Sequence, residues 1–464
     1  MSTYKLSEWI HFIGIGGTGM SGIAKVLLEL GYKVSGSDLN NSEITKRLEH
    51  NGALVFQGHR EENIKENIDV VVISSAIPDD NPEIVKAKAL NIPIIQRAEM
   101  LARLMKKQKA ICVAGAHGKT TTTSMISLVL ERNNLDPTVV VGGELNDFGG
   151  NAKLGRGEYL VAEADESDGS FLKLLPWSTV ITNIENDHLD HYGSLENIIS
   201  SFQDFVALGS KDGYSILCID DPKIKKLVDR VPDKLITYGL DNEAEYRADN
   251  LKFTGNKTSA DIYHEQDFLG TLNLNVPGRH NVVNALAAIA MGIELGLTFD
   301  EVNNALGAFN GVQRRFQLLG KVNGIDVVDD YAHHPTEIKA TLNAAQKGYQ
   351  GRVIAVFQPH RFTRTYYLAE EFAQSFNDAD KVVLAEIYSA GEKPIEGVSS
   401  QLILDSMPKG IDVRYIKDRE DIINYLEKTV EPGDIVLTLG AGNVWSIGVD
   451  LVERLKKQNS RATL

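Results

Sequence analysis

Ile10–Gly19 reads IHFIGIGGTG, and Ala110–Thr123 reads AICVAGAHGKTTTT. Each is an apolar run of strand length that breaks into a glycine loop and opens a helical pattern. In the first, Gly14, Gly16, Gly17 and Gly19 let the chain turn tightly and bring backbone N–H groups against a phosphate at the helix N-terminus. Asp38 closes the next strand, 19 residues after Gly19, where a ribose-binding acid stands in dinucleotide folds. Alone, this loop reads as an NAD site, or as a turn built for tight strand–helix packing. The second loop changes that reading. Gly115 and Gly118 allow a phosphate to approach, Lys119 supplies positive charge, and Thr120 offers a hydroxyl to Mg²⁺. Its glycines are separated by two residues, Ala116 and His117, instead of the four of the common P-loop. The strand before it, the helix after it and the threonine run Thr120, Thr121, Thr122 and Thr123 support the phosphate reading. An NAD-dependent oxidoreductase has no use for such a lysine loop in a second domain.

Working outward, the first hundred residues alternate apolar runs with helical patterns. Ile10–Ile15, Tyr32–Ser37 and Val70–Ser74 read as strands and Met20–Leu30 as a helix, which implies a parallel sheet with helices on its faces. The charged segment Arg103–Lys109 places a first boundary, giving a domain 1–107. The second block keeps the alternation through Tyr159–Ala162 and Val180–Ile184. From Gly213 to Pro277 short alternating runs such as Ala260–Tyr263 and Leu269–Val276 predict an antiparallel patch. Asn281–Leu295 is an amphipathic helix, and Thr298 with Glu301 forms a capping box for the next. A second boundary follows Gly311, giving domains 108–312 and 313–464. The last has strands at Val353–Phe357, Lys381–Leu384 and Ile435–Leu439. At 464 residues, three domains also match the soft prior of about 150 residues each.

Composition excludes other classes. Hydrophobic residues are 43% and charged residues 24%, which argues against disorder. With 48 basic and 63 acidic residues the net charge is −15, so no general nucleic-acid footprint is expected. Two cysteines, Cys112 and Cys218, fit a reducing compartment and make no disulfide framework. No apolar stretch approaches the roughly 18 residues of a membrane span, and the N-terminal segment reads as a strand rather than a signal peptide. A cytoplasmic protein is expected.

Acids and histidines cluster where apolar runs end. Tyr159–Ala162 leads into Glu163-Ala164-Asp165-Glu166-Ser167-Asp168, and Val180–Ile184 into Glu185-Asn186-Asp187-His188-Leu189-Asp190-His191. Hard oxygen ligands beside a P-loop suit one or two divalent cations; two solvated acidic loops are the plainer alternative. Further on come Arg314-Arg315, Asp329-Asp330-Tyr331-Ala332-His333-His334, and Gln358-Pro359-His360-Arg361 with Arg364. Basic side chains at strand ends suit an anionic carboxylate or phosphate.

These segments carry a resemblance. HFIGIGGTGMSGIA, GSD, SSAI, GAHGKTTT, EADESDGSF, TNIENDHLDHY, PGRHNVVNA, GVQRRF, DDYAHHPTEI, QPHRFTRT and GAGN occur in this order across nearly the whole chain. The sequence resembles the Mur ligase family, the ATP-dependent amide-forming enzymes of peptidoglycan precursor synthesis. The resemblance implies an α/β fold of three consecutive domains. The first is Rossmann-like, the second a P-loop ATPase-like, mostly parallel sheet with a small antiparallel patch, and the third Rossmann-like again. By this likeness the first domain holds the UDP part of UDP-N-acetylmuramate through Gly14, Gly16, Gly17, Gly19, Asp38, Ser74 and Ser75. ATP falls to Gly115, His117, Gly118, Lys119, Thr120, Thr121, Asn281 and Arg315, and Mg²⁺ to Thr120, Glu163 and His188. Tyr331, His334, His360, Arg361 and Arg364 fall in segments around the incoming amino acid, L-alanine in the subfamily most resembled.

The implied reaction phosphorylates the lactyl carboxylate and then lets the amine displace phosphate, with Lys119, His188, Arg315 and His334 as catalytic candidates and either histidine a possible base. Three ligands on three domains imply closure about linkers near residues 106 and 312, in a monomer or homodimer. Ala116 and Asn443 depart from the usual threonine or serine and aspartate. No lysine lies between Asp187 and Asp204, so the carbamylated lysine of other members is not expected there. Three other readings stay open: a recycling ligase that adds a tripeptide, an NAD-dependent oxidoreductase, and a nucleotide-sensing scaffold.

Overall fold

The computed structural model describes residues 8–145, 150–231, 234–241 and 243–462. It divides into two compact units, Met1–Asp249 with Ile262–Gly270 and Val283–Leu306, and Asn250–Asp261 with Thr271–Val282 and Gly307–Leu464.

The first unit opens with five parallel strands, β1 (Trp9–Ile13), β2 (Lys33–Asp38), β3 (Leu54–Gln57), β4 (Val70–Ile73) and β5 (Ile94–Gln96), in the order β3-β2-β1-β4-β5. β1 is buried along its whole length, as a central strand covered on both faces must be. The order reverses between β1 and β4. Ligands of open α/β sheets bind at such a switch point, beyond the carboxyl ends of the strands. The glycine loop leaves β1 there, and Ser74 and Ser75 leave β4.

A second sheet holds β6 (Lys109–Ala114), β7 (Thr138–Leu145), β8 (Gly150–Lys153), β9 (Tyr159–Glu163), β10 (Ser178–Ile181), β11 (Ser215–Cys218), β12 (Leu235–Gly239), β13 (Tyr246–Thr254), β14 (Lys257–His264) and β15 (Asp267–Leu274). Its order is β15-β14-β13-β12-β11-β10-β6-β9-β7-β8. β6 lies between β9 and β10, parallel to both. The loops after these three strands carry the lysine and the two acidic segments, so neighbouring strands deliver the candidate residues to one edge. The antiparallel patch expected from Gly213 onward begins later. β11 and β12 are parallel to β10 and to each other, because helix Leu195–Ala207 supplies a crossover before β11. The run Ser215–Cys218 is buried throughout, a pattern that leaves strand direction open. β7 and β8 form an antiparallel pair at the other end.

The second unit contains β16 (Gln317–Val322), β17 (Ile325–Asp330), β18 (Val353–Phe357), β19 (Lys381–Leu384), β20 (Asp412–Tyr415) and β21 (Ile435–Leu439), ordered β16-β17-β21-β18-β19-β20. All neighbours are parallel except the β16–β17 hairpin. Alternation along the strands splits the core. Val328, Phe357 and Leu437 pack on one face with Phe372, and Val327, Ile354 and Val436 on the other with Leu451. Each such side chain contributes about 1.5–3 kcal/mol through burial. The expected strands Val353–Phe357, Lys381–Leu384 and Ile435–Leu439 match in full, and the Thr298–Glu301 capping box is formed.

Cys112 and Cys218 are free and buried. Burial pushes the Cys218 thiol up to about 12, so it stays protonated and unreactive. Among the described residues no helix is long and apolar enough to cross a membrane.

Candidate active site

At the glycine loop, helix Thr18–Glu29 starts at Gly17 without a side-chain cap and without an acid in its first turn. Its first N–H groups and the positive end of its dipole stay available to an anion. Asp38 holds the loop: Oδ2 accepts from the Gly16 N–H at 2.9 Å and Oδ1 from the Asn40 N–H at 3.0 Å. The turn after β4 lies beside it, with Ile77 Cδ1 3.4 Å from where a Cβ on Gly14 would sit. A Cβ on Gly19 would lie 2.7 Å from Arg97 Nη1. Arg97 Nη2 also donates to Asp165 Oδ2 at 3.1 Å. One guanidinium therefore stands between the glycine loop and the acidic loop after β9.

The lysine loop is braced from below. Asn183 Oδ1 accepts from the His117 N–H at 2.8 Å, and its Nδ2 donates to the His117 carbonyl at 2.9 Å. The Asn183 carbonyl accepts from the Ala116 N–H. Helix Lys119–Arg132 makes its first backbone bond from Thr122 to Gly118, so the N–H groups of Lys119, Thr120 and Thr121 have no helical acceptor. Gly118 has φ +80°, and a Cβ there would meet Asn284 Oδ1 at 2.6 Å. Asn284 also accepts from the Thr122 hydroxyl.

Lys119 donates to the Gly115 carbonyl at 2.6 Å and to Glu166 Oε1 at 2.8 Å. Burial alone would lower its pKa, but Glu166, Glu163 and Asp165 outweigh it and hold the ammonium above the ordinary lysine value. Glu166 is only 4% exposed, and burial pushes its carboxyl above the usual range despite Lys119. The Thr120 hydroxyl donates to Glu163 Oε2 at 2.9 Å, and the Gly142 N–H reaches the same oxygen at 3.0 Å. His188, at φ +58°, has Nε2 3.7 Å from Asp187 Oδ2 and 4.0 Å from Glu166 Oε1. The structure thus pairs Thr120 with Glu163 and sets His188 toward Glu166 and Asp187. Asp190 has no described side chain. Arg97, Asn183 and Asn284 carry no local signal in the sequence, and Glu166 stands out there only as one acid of its run, not as the partner of Lys119.

In the second unit, Arg315 Nη1 donates to Glu337 Oε1 at 3.1 Å. The Tyr331 ring has the Arg314 and Arg315 guanidinium carbons 5.0 and 5.4 Å from its centroid. Arg314 is structural: it donates to Asp329 at 2.9 Å and to the carbonyls of Gly440 and Gly442. His334 is buried as the N-cap of helix Pro335–Gly348, and Glu337 Oε2 accepts from the backbone of His333 and His334. Asn281 donates to the Pro277 carbonyl. His360 stacks on Tyr388 with centroids 5.7 Å apart and meets His333 edge-on at 5.9 Å. Arg361 carries φ +70° with ψ 141°, strain that concentrates at functional sites. Arg364 lies in the helix Phe362–Tyr367 that follows.

Burial, with the neighbouring cationic and imidazole groups, pushes His360 down to about 4; burial and Arg364 do the same for His333. His280 is likewise held at about 4 by burial and Arg315. These groups are neutral in the fold but take up protons near 6.5 when unfolded, so stability falls as pH drops from about 6.5 to about 4. Asp330, raised to about 6 by burial, opposes this between about 4 and 6. The melting temperature of a His333→Asn/His360→Asn variant, followed between about pH 4.5 and 7.5, is expected to fall less on acidification than that of the wild type. Parallel curves would remove these histidines from the acid response.

Three family models match in sequence order: Mur ligase family, catalytic domain at residues 9–109; Mur ligase middle domain at 113–292; and Mur ligase, glutamate ligase domain at 314–442. The chain belongs to the Mur ligase family. Mur ligases are ATP-dependent ligases, which sets aside the oxidoreductase reading of the glycine loop. The chain is 55% identical to a UDP-N-acetylmuramate–L-alanine ligase of Pelotomaculum thermopropionicum over 451 residues, covering 97% of this chain and 98% of that one. It is 52% identical to the enzyme of the same name from Desulforamulus reducens, covering 97% and 98%. Among solved structures it matches the UDP-N-acetylmuramate–alanine ligase of Thermotoga maritima with a TM-score of 0.82 at 32% identity, covering 97% and 99%. A murein peptide ligase from Psychrobacter arcticus matches with a TM-score of 0.70 at 26% identity, covering 97% and 99%.

Proposed function

We propose that this Mur ligase joins L-alanine to the lactyl carboxylate of UDP-N-acetylmuramate at the expense of ATP, in the cytoplasm, as a step of peptidoglycan precursor synthesis. The observation that carries this is Lys119, held at a strand-end loop next to the Thr120–Glu163 pair, in a chain over half identical to a ligase of that name. In this reading residues 1–107 hold the UDP-sugar, 108–312 hold ATP, and 313–464 hold the amino acid.

A carboxylate is a poor electrophile, so its oxygen first attacks the γ-phosphorus of ATP, giving an acyl phosphate and ADP. Two anions must approach for this, and Lys119 and Arg315 offset their repulsion and the charge of the transferring group. Thr120 and Glu163 fit Mg²⁺ because both present hard oxygens on one side of the loop; when bound, the ion supplies further neutralisation of the phosphates. Gly14, Gly16, Gly17 and Gly19, with Ser74 and Ser75, face the UDP-sugar. Asn281 stands with the nucleotide. The alanine amine then attacks the acyl carbon and phosphate leaves. Arg361 and Arg364 take the alanine carboxylate, with Tyr331, His334 and His360 around it, so that the amine is aimed. The attacking amine must shed a proton. An imidazole held near 4 takes it poorly, so His360 serves as a hydrogen-bond acceptor and the base is His188 or His334.

The test is phosphate release with ATP and UDP-N-acetylmuramate, comparing L-alanine, glycine, L-serine and an L-alanyl tripeptide as acceptor. L-Alanine is expected to give the highest kcat/KM. Faster turnover with the tripeptide would make the chain a recycling ligase.

A further inference from the structure

Glu83 carries a buried charge that nothing in the ligase chemistry uses. It is 0% exposed, in the first turn of helix Pro82–Ala89. Its four acceptor positions are filled: Oε2 accepts from the Ser37 hydroxyl at 2.7 Å and His11 Nε2–H at 3.3 Å, and Oε1 from Asn63 Nδ2 at 2.6 Å and the Arg60 N–H at 3.2 Å. Burial would raise its pKa, yet the bonds from His11, Ser37 and Asn63 outweigh it and keep the carboxyl below its ordinary value. An ionised carboxylate accepts only, so the direction of every bond around it is set.

Two chains of bonds run into this carboxylate. On one side Trp9 Nε1 donates to Ser35 Oγ at 2.8 Å, Ser35 Oγ and His11 Nδ1 share a bond of 2.9 Å, and His11 Nε2–H donates to Glu83. On the other, Ser37 has a single hydroxyl proton and gives it to Glu83. Its oxygen, 2.9 Å from His59 Nδ1, must then accept from that nitrogen. His59 is thereby fixed as the Nδ1–H tautomer, and in its uncharged form Nε2 bears a lone pair. No partner for Nε2 occurs among the described residues, and the side chain keeps 14% exposure.

The position of His59 gives the lone pair a use. β3 ends at Gln57, and the Gly58 N–H donates to the Asp38 carbonyl at 2.7 Å. Asp38 in turn holds the Gly16 N–H. His59 thus stands at the carboxyl edge of the first sheet, beyond β2, on the side leading away from the glycine loop. In doubly wound sheets the loop after the first strand takes the diphosphate, and the nucleoside extends over the ends of the outer strands.

We propose that His59 selects the base of the nucleotide substrate, its Nε2 accepting from the imide N3–H of uracil, with Ser37 and Glu83 as positioning residues that hold the tautomer. This rests on the reading that residues 1–107 hold UDP. Cytosine presents a lone pair at N3, which would face the lone pair of Nε2. Ser37 blocks the alternative tautomer that could turn Nε2 into a donor.

The test is calorimetric binding of UDP, CDP and UDP-N-acetylmuramate to the full chain, with steady-state kinetics alongside. Wild type is expected to prefer UDP over CDP by about tenfold or more, the size of one hydrogen bond together with a lone-pair clash. His59→Ala is expected to lose that preference by weakening UDP and to raise KM for the UDP-sugar with kcat unchanged. His59→Gln, whose amide oxygen can still accept, should recover part of it. Ser37→Ala frees the tautomer and should reduce the ratio, with a melting temperature lowered by the bond lost to Glu83; Glu83→Gln tests the same link where it folds. A purely structural network would leave the UDP:CDP ratio unmoved in His59→Ala, and that result overturns the assignment while leaving the UDP site standing. Wild type that binds UDP-N-acetylmuramate with no UDP preference overturns it too. No binding of any uridine ligand overturns both readings.

Discussion

Lys119→Met is expected to lower the rate of phosphate release by at least about 10³-fold while UDP-N-acetylmuramate binding stays within about twofold of wild type. The first number follows from what the ammonium faces. Transfer of a phosphoryl group to a carboxylate gathers anions, and a fixed cation in a site that excludes water acts with little solvent screening. The second follows from place: Lys119 leaves β6, whereas the glycine loop leaves β1 of a different sheet. The substitution has a side effect that must be separated from catalysis. Glu166, 4% exposed, would lose its cation, and breaking a buried pair costs about 3–5 kcal/mol when the remaining group stays charged. Its carboxyl is already raised by burial, so it would take up a proton and reduce that cost. The double variant Lys119→Met/Glu166→Gln is therefore expected to melt closer to wild type than Lys119→Met alone, with activity still absent. Recovery of turnover in the double variant would assign the defect of the single one to instability and remove Lys119 from the chemistry. Phosphate release, calorimetry and melting curves on the same preparations separate the outcomes.

The parts of this site that were legible in sequence share a property. Gly14–Gly19, Gly115–Thr121, Glu163 and His188 all follow apolar runs, and the end of a parallel strand is where such a fold presents its chemistry. A local pattern is enough to put them at strand ends. The pairings that the sequence does not show join distant segments. Glu166 meets Lys119 across 47 residues, Asn183 meets His117 across 66, Arg97 meets Asp165 across 68, and Asn284 meets Thr122 across 162. Nothing local distinguishes Asn284 from Asn281 three positions earlier; only the packed structure shows that a Cβ on Gly118 would strike Asn284. Arg97 opens a helix of its own, and only the packing brings Gly19 and Asp165 to it. The same reasoning explains the strands. Val353–Phe357 and Ile435–Leu439 are legible because apolar runs bounded by polar residues bury on both faces. The direction of β11 was not, because Ser-Ile-Leu-Cys suits a parallel or an antiparallel neighbour equally, and the helix before it decides.

Glu163→Gln is the second large effect. The carboxylate accepts from the Thr120 hydroxyl and the Gly142 N–H through one oxygen. A glutamine in the same rotamer keeps an oxygen acceptor for both donors, so the loop should hold its shape and stability should change by no more than about 1 kcal/mol. What it loses is the negative charge. A hard divalent cation draws most of its affinity from charged oxygens, and the nearby Lys119 makes an uncharged replacement still less attractive to one. Phosphate release at low Mg²⁺ is expected to fall by about 10²-fold, and the Mg²⁺ concentration for half-maximal rate to rise by about tenfold or more. Raising Mg²⁺ should restore part of the rate. Lys119→Met differs here, since added metal should not rescue it. Titrating Mg²⁺ into both variants therefore separates the two roles: one curve should shift along the concentration axis and the other should stay flat. A Glu163→Gln enzyme with the wild-type Mg²⁺ requirement would place the cation elsewhere, and the carboxylates facing His188, Glu166 and Asp187, would be the next to change. Glu166 is the less suited of the two, because one of its oxygens is already bonded to Lys119 and burial favours its uncharged form.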